Sequence, residues 1–412
     1  EQLLSLINDI LDFSKIEAGR LDLENVDFDL EVFLSSFARA MAGAADRKGI
    51  ELLCTSETDF PSLVRGDVKR LRQVLTNLVG NAIKFTDTGE VLVRVSTVSE
   101  TETEAFLQFT VRDTGIGIPP GKAERIFSPF TQADGAVAGK YGGTGLGLSI
   151  SRQLVELMGG HISAVSPAPG ATGGSEFRFT LRLQKRPRGA RPPAAPVPVS
   201  LSGVRALVVD DNPTGRTILI KRMTEWGMRV TSAEDGPAGI KAALGGIDGG
   251  DPFRIAVIDM KMPGMDGAAL GTAIRAAERL ADLKMVLLTS IDMHPGDARM
   301  SEIGFQACLS KPVLPTDLKT VLCRVLGTPD GRAPETGPFT VTHSAAPRFA
   351  GRPARILLAE DNIINQKVAL KSLQMLGLTA DVVEDGGDAV AAAVSTPYDL
   401  VFMDVLMPGT DG

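Results

Sequence analysis

Arg205-Ala-Leu-Val-Val-Asp-Asp-Asn212 recurs in this chain as Arg355-Ile-Leu-Leu-Ala-Glu-Asp-Asn362, and Ile258-Asp-Met-Lys-Met-Pro-Gly-Met-Asp-Gly267 recurs as Met403-Asp-Val-Leu-Met-Pro-Gly-Thr-Asp-Gly412. Paired recurrences at similar spacing mark two copies of one domain. The first copy is longer by a Gly-rich stretch, Gly245 to Pro252, read here as a loop. Within that copy the short apolar runs Ala206–Val209, Ile255–Ile258 and Met285–Leu288 read as strands buried on both faces. Helical stretches, Thr214–Trp226 and Gly267–Leu280, lie between them. Strand-helix alternation implies a doubly wound parallel sheet, whose ligand site lies beyond the carboxyl ends of the strands. Asp210, Asp211, Asp259, Thr289 and Lys311 all fall at those ends.

Three carboxylates converging at one sheet edge repel each other unless a cation joins them. Mg²⁺ suits the set of Asp210, Asp211 and Asp259, because it binds a few carboxylates and keeps positions open for phosphate oxygens. Asp259 then reads as the nucleophile that forms an acyl phosphate. Lys311 brings a positive charge and Thr289 a hydroxyl for the phosphoryl oxygens. This set resembles the response-regulator receiver domain over Val204 to about Gly327. The resemblance implies that a phosphorylated aspartate draws the threonine inward and repacks one face. It also implies a cis Lys311-Pro312 bond, and an aromatic three residues before the lysine, where Cys308 stands. The second copy offers Glu360 and Asp361 as the acidic pair and Asp404 as acceptor. It ends before any strand that brings a threonine or lysine, so it is expected to leave apolar edges exposed and not to work.

Ahead of the repeat, four patterns occur in order. Asn77-Leu-Val-Gly-Asn-Ala-Ile-Lys-Phe85 puts Asn77, Asn81 and Lys84 on one helix face. An amide oxygen can coordinate Mg²⁺ and a lysine can meet a phosphate, though the same face serves equally well against polar neighbours. Asp113-Thr-Gly-Ile-Gly-Ile-Pro119 follows a strand, and its carboxylate can accept from an adenine amino group. Phe127-Ser-Pro-Phe130 reads by itself as core aromatics. Tyr141-Gly-Gly-Thr-Gly-Leu-Gly-Leu148 runs into a helix, where glycines expose backbone N–H groups and a positive dipole end to phosphates. Thr131 to Lys140 suits a lid.

Together these patterns resemble the N, G1, F and G2 boxes of histidine kinase ATP-binding domains, over about Leu30 to Gln184. The resemblance implies a Bergerat-type α/β sandwich with a nucleotide site of Asn77, Asn81, Lys84, Phe85, Asp113, Gly115, Gly117, Gly143, Thr144, Gly145 and Gly147. Asn81 would be its Mg²⁺ ligand, Asp113 its adenine reader, and Gly143, Gly145 and Gly147 part of its lid. Hydrolytic relatives carry a glutamate four positions before the metal-binding asparagine, as a general base. Here that position is Asn77, which takes no proton, so the site is expected to hold ATP for transfer. Glu1 to Gly19 resembles the second helix of the dimerisation hairpin, whose first helix carries the acceptor histidine and is absent from this chain. His161, His294 and His343 lack the family's context for that role.

The secondary-structure reading of this region gives helices at Leu30–Arg47, Asp67–Phe85 and Thr144–Met158. Strands follow from the alternation at Val91–Val98, Phe106–Val111 and Phe177–Leu183. The expected fold class is α/β multidomain: a Bergerat-type sandwich preceded by a dimerisation helix, then flavodoxin-like doubly wound receiver domains. The domain reading is 1–20 hairpin helix, 28–185 ATP-binding domain, 186–203 linker, 204–327 receiver, 328–353 linker, and 354–412 second, truncated receiver. Both linkers are rich in Pro and small residues, the first extended, the second without helical or strand period.

Composition narrows the classes further. A net charge of −7, from 43 basic and 50 acidic residues, argues against a nucleic-acid partner. Cys54, Cys308 and Cys323 form no close pair, which excludes a disulfide framework and a Cys-rich zinc site and fits a reducing cytosol. No apolar run is long enough to span a membrane. The reading is therefore the cytoplasmic part of a hybrid sensor histidine kinase, with ATP and Mg²⁺ as cofactors. Its partners would be a second copy of itself and a downstream histidine phosphotransfer protein or response regulator. A non-catalytic ATP-binding scaffold with partner-docking receivers is the alternative.

Overall fold

Asp29 and Asp67 begin the two helices that back the first sheet. The Asp29 carboxylate accepts from the N–H groups of Glu31 and Val32 at 3.0 and 3.1 Å, and Asp67 from that of Arg70 at 3.0 Å. Both satisfy donors that a helix start leaves unpaired. Helix α1 (Leu30–Arg47) buries Leu30, Phe33, Phe37, Ala42 and Ala45. Helix α2 (Val68–Phe85) buries Leu71, Val74, Leu75, Leu78, Val79, Ala82 and Ile83, at helical spacing. The computed structural model describes residues 11–12, 14–57, 60–129, 131, 145–186, 200–290, 298–327, 339–341, 355–375 and 378–404. These fall in two units, residues 1–340 and 341–412.

The sheet under α1 and α2 runs β1 (Val26–Asp29), β3 (Leu63–Gly66), β7 (Ser175–Lys185), β5 (Glu104–Asp113), β4 (Glu90–Glu100), β2 (Glu51–Ser56), with β6 (His161–Val165) also on β7. Among its described strand pairs only β2 and β4 run in parallel, with Glu51 beside Glu90 in the register. Alternation along β5 sends Ala105, Leu107, Phe109 and Val111 inward. Phe109 stacks on Phe179 with centroids 4.8 Å apart. Each such fully buried ring contributes roughly 1.5–3 kcal/mol. Helix α3 (Gly147–Leu157) packs on α2 and adds Ile150, Leu154 and Val155 to this core.

The receiver-like segment is a parallel sheet in the order β9 (Arg229–Ala233), β8 (Arg205–Val209), β10 (Ile255–Asp259), β11 (Lys284–Thr289), β12 (Ala307–Ser310). Helices α4 (Pro213–Glu225), α5 (Gly236–Asp248), α6 (Gly267–Ala276), α7 (Ala298–Ile303) and α8 (Pro315–Gly327) connect or follow the strands. Leu207, Val209, Ala256, Ile258, Met285 and Leu287 join α5 and α6 in one core. The alternate residues Ala206, Val208, Val257, Val286 and Leu288 are buried as completely, on the opposite face.

Three readings need correcting. The helix expected over Gly267–Leu280 stops at Ala276; Ala277 takes an extended ψ of 101°, and Glu278–Leu280 is a separate 3₁₀ turn. The supposed loop from Gly245 begins as the last turn of α5, because Gly246 leaves room for the Phe253 ring. A short strand, β13 (Phe339–Val341), lies inside the segment read as having no strand period.

The second unit holds β14 (Ile356–Ala359) between β15 (Ala380–Val383) and β16 (Leu400–Met403), with α9 (Ile363–Met375) and α10 (Gly386–Ser395). All three strands are parallel. Among the described residues, Leu357, Ala359 and Ala389 form a buried cluster with Val383, Ala392 and Tyr398 packed against it, and Ile356, Leu358 and Leu373 are buried as well. On β16, Leu400, Val401, Phe402 and Met403 are each 40–47% exposed. Of the first helix, residues 11–12 and 14–17 are described as helical. Gly143, Thr144, His294, His343, most of the lid and most of both linkers lie outside the described residues.

Candidate functional site

The first site forms where the end of α2 meets the loop after β5. Lys48 donates to the carbonyls of Ile83, Lys84 and Thr86 at 2.8, 2.7 and 2.6 Å, and so satisfies the terminal acceptors of α2. Thr86 Oγ1 donates to Ala82 O at 2.7 Å. Against this end lies Gly115, where a Cβ would sit 2.4 Å from Phe85 O, so only glycine lets the loop close. The Ile116 N–H then donates to the same carbonyl at 3.3 Å. These contacts bring the loop of Asp113, Gly115 and Gly117 to the helix end that carries Asn81, Lys84 and Phe85.

Asp113 is 4% exposed. Its carboxylate accepts from the N–H groups of Gly115 and Ser175 at 2.9 and 3.2 Å, and from Ser175 Oγ at 2.5 Å. A buried carboxylate with three donors is held in a single orientation. Gly174, at φ +74°, lets β7 approach, since a Cβ there would lie 2.0 Å from Asp113 O. Asn77 Nδ2 donates to Ser151 Oγ at 2.8 Å, and Asn77 Oδ1 accepts from Asn81 Nδ2 at 3.2 Å. Gly147 opens α3 directly against Asn77 Oδ1, where a Cβ would lie at 2.4 Å. Gly145 and Gly117 take positive φ, at 71° and 72°. The Lys84 ammonium lies 5.2 Å above the Phe85 ring, and burial lowers its pKa. Phe127 packs edge-on against Phe177, as a core aromatic should.

The second site lies at the carboxyl ends of β8, β10 and β12. Asp210 and Asp259 are 1% and 3% exposed, and Thr289 is 4% exposed; Asp211 faces solvent. Carboxylate oxygens of Asp210, Asp211 and Asp259 lie within 4.8 Å of one another. Lys311 Nζ stands 2.9 Å from Asp259 Oδ2 and 3.6 Å from Asp210 Oδ2. Its backbone N–H donates to Thr289 O at 2.7 Å, which ties β12 to β11, and the Lys311-Pro312 bond is cis. Burial pushes the Asp210 carboxyl up to about 6; Lys311 opposes that, and Asp259 and Glu51 add to it. Burial raises Asp259 as well, against the pull of Lys311. Lys311 is drawn down by burial, yet Asp210, Asp259 and Glu51 outweigh this and hold it above its ordinary value.

Two buried carboxyls that resist ionisation, beside an exposed third, form a donor set that a small oxygen-seeking cation would relieve. The residues therefore fit Mg²⁺. In the second copy, oxygens of Glu360, Asp361 and Asp404 also lie within 4.8 Å of one another, with Asp361 exposed and the other two half-buried. Cys308 is buried in the receiver core and is 7% exposed.

Five contributors escaped sequence reading. Lys48, Thr86 and Ser175 shape the first site, and only the Gly173-Gly174 break before Ser175 gave a signal. Glu51 and Glu90 come from the first sheet yet reach the second site. Glu51 Oε1 lies 2.6 Å from Lys311 Nζ, and Asn212 Nδ2 donates to Glu51 and Glu90 at 2.6 and 2.8 Å.

Comparison with known proteins finds a family for each of the two regions that carry these sites. Residues 66–185 match the model of the histidine kinase-, DNA gyrase B- and HSP90-like ATPases, and residues 206–322 that of the response regulator receiver domain. The whole chain is 34% identical to the sensor protein GacS of Pseudomonas syringae pv. syringae and covers 44% of it. It is 32% identical to the signal transduction histidine-protein kinase BarA of Escherichia coli K12, covering 42%. The chain thus spans less than half the length of these curated relatives. Among solved structures, full-length ShkA in complex with AMPPNP superposes over the whole chain with a TM-score of 0.64 at 30% identity, covering 78% of that protein. An ATPase domain of this type joined to a receiver domain, matched end to end by these relatives, places the chain in the family of hybrid sensor histidine kinases.

Proposed function

We propose that this chain carries out the middle of a phosphorelay: it binds ATP at the first site and accepts a phosphoryl group on Asp259. The observation that carries this reading is the buried Asp259–Lys311 pair at 2.9 Å beside Asp210 and Asp211, on the same chain as a nucleotide cleft built around Asp113 and Asn81. Asp113 orients adenine, Asn81 would hold Mg²⁺, and the start of α3 with Gly145 and Gly147 faces the phosphates. Asn77, bonded to Ser151 and Asn81, supplies no general base toward water. ATP is thus kept for transfer to a histidine of a dimerisation hairpin.

In the next step a carboxylate oxygen of Asp259 attacks the phosphorus. The P–N bond breaks, and the imidazole keeps its electron pair. Lys311 offsets the charge that gathers on the phosphoryl oxygens, and Thr289 can donate to one of them. Asp210, Asp211 and Asp259 would hold Mg²⁺, which when bound supplies the positive charge the acidic cluster lacks. A second copy of the chain and a downstream phosphotransfer or receiver protein are the partners of this reading.

The test uses the chain extended at its N-terminus to carry a histidine hairpin, with ATP labelled at the γ-phosphate. Label should pass to an aspartyl phosphate, and Asp259→Ala should remove it. Aspartyl label that persists in the variant would move the acceptor role to Asp404. ATP binding with no transfer would favour a non-catalytic scaffold.

A further inference from the structure

The phosphoacceptor pocket is capped by the ATP-binding domain of the same chain. β2 is the edge of the first sheet, and its first residue, Glu51, pairs in register with Glu90, the first residue of β4. This places two carboxylates side by side at one corner of the domain, and both reach into the receiver. Glu51 Oε1 meets Lys311 Nζ at 2.6 Å, and Glu51 Oε2 accepts from Asn212 Nδ2 at 2.6 Å. Glu90 accepts from Asn212 Nδ2 and Thr214 Oγ1, both at 2.8 Å. The Glu51 and Lys311 side chains are only 21% and 19% exposed.

Around this centre the contact is polar and broad. Arg39 meets Asp317 at 2.8 Å, Lys261 meets Asp46 at 3.1 Å, and Arg222 donates to Ser56 Oγ at 3.1 Å. A small cavity lies where Leu314 and Pro315 of the receiver approach Leu34 and Phe60. Isolated exposed ion pairs contribute little, but the central one is largely withdrawn from water on both sides, where its geometry counts for more.

The position of Glu51 has a chemical meaning. Lys311 bonds to Asp259 and to Glu51 at once, so the Glu51 carboxylate occupies the side of the ammonium that an oxygen of a phosphoryl group on Asp259 would meet. We infer that Glu51 acts as an internal stand-in for the phosphoryl group, so that docking of the receiver on the β2–β4 edge and phosphorylation of Asp259 exclude each other. This rests on the phosphoacceptor reading of Asp259. The new phosphoryl group brings roughly −1.5 to −2 charges beside the Glu51 and Glu90 carboxylates. Like charges at this range repel, which sets the Glu51–Glu90 corner against a phosphorylated Asp259. By linkage, whatever factor docking takes from phosphoryl affinity, phosphorylation takes from docking. The sheet edge is thereby both a docking surface and a sensor of the state of Asp259, with the receiver as its partner.

The test uses the whole chain with Mg²⁺ and beryllofluoride, a phosphoryl analogue that binds an acceptor carboxylate without a transferable group. In the unmodified chain, saturating beryllofluoride should raise hydrogen exchange at residues 51–56 and around Asn212, and should increase the radius of gyration in solution scattering. Glu51→Gln keeps shape and removes charge; it should tighten beryllofluoride binding about tenfold, within the usual range of coupling between sites. The pair Arg39→Ser and Lys261→Ser weakens the same contact from its rim and should act in the same direction. Beryllofluoride that binds with equal affinity to all three chains, and leaves exchange at residues 51–56 unchanged, overturns the proposal. Absence of binding in every chain, including Glu51→Gln, overturns instead the acceptor reading on which it rests.

Discussion

The two copies of the acidic motif present the same three carboxylates at the ends of equivalent strands, yet their settings differ. In the first, Asp210 and Asp259 are 1% and 3% exposed, β10 lies between β8 and β11, and Lys311 bridges both acids. In the second, Asp361 is exposed, Glu360 and Asp404 are half-buried, and β16 is an edge with four apolar side chains 40–47% exposed. Spacing alone does not make an acceptor. Burial raises the Asp210 carboxyl to about 6, and the lysine arrives only from a fifth strand. Chemistry here depends on elements far along the chain from the motif that announces it.

That contrast can be pressed experimentally, and the largest effect is expected at Lys311. Lys311→Met leaves Asp210, Asp259 and Glu51 facing one another without their shared cation, and breaking a buried pair from one side costs about 3 kcal/mol. Thermal unfolding of the first unit should shift down accordingly. Glu360→Gln in the second copy, at a half-buried carboxylate, should move its own unfolding by less than about 1 kcal/mol. Equal losses in the two would erase the distinction.

Asp210→Asn should act in the opposite sense. With no metal present it removes one of three carboxylates around a single ammonium, and is expected to stabilise the first unit by about 1–2 kcal/mol near neutral pH. A destabilised variant under those conditions would mean that the attraction of Lys311 dominates the cluster. The same variant should no longer respond to Mg²⁺.

The pH dependence follows with its sign. Asp210 has a folded pKa of about 6 against an ordinary 3.8. A carboxyl raised on folding stabilises the fold below the unfolded value, and that contribution is lost as pH rises through about 6. Mg²⁺ favours the ionised cluster, so its stabilising effect should be larger at about pH 7.5 than at about pH 5. Equal melting shifts at the two pH values would put the metal elsewhere.

A further effect belongs to the nucleotide site. Ser175→Ala removes the 2.5 Å donor to Asp113 while leaving both backbone donors. Loss of one such bond to a charged group is worth about 1.5 kcal/mol, or roughly a tenfold weaker ATP affinity by calorimetry. Unchanged affinity would show that backbone donors alone orient Asp113.

Much of this organisation was legible in the sequence, for identifiable reasons. Strands buried on both faces, such as Ala206–Val209 and Ile255–Ile258, show as short unbroken apolar runs. The repeat exposed the second unit directly. What escaped were elements too short to carry a period, β1, β3 and β13, and β2, whose run Leu52-Leu53-Cys54 gives no alternation. Missing β2 also hid Glu51, because a residue at a sheet edge gains its role only from what docks there. Lys48 was invisible for a related reason, and Ser175 was marked only by the glycines before it: their partners, the α2 carbonyls and Asp113, are distant in sequence. Gly147 and Gly115 were found as motif glycines, but the atoms that demand them, Asn77 Oδ1 and Phe85 O, emerge only from the packing.

The central claim is that Asp259, and not its copy, takes the phosphoryl group. Borohydride reduces an acyl phosphate on aspartate to homoserine, which peptide mass spectrometry can locate. Applied to the chain extended with a histidine hairpin and supplied with ATP, the method should find homoserine at position 259 and aspartate at 404. Homoserine at 404 with aspartate retained at 259 would contradict the account.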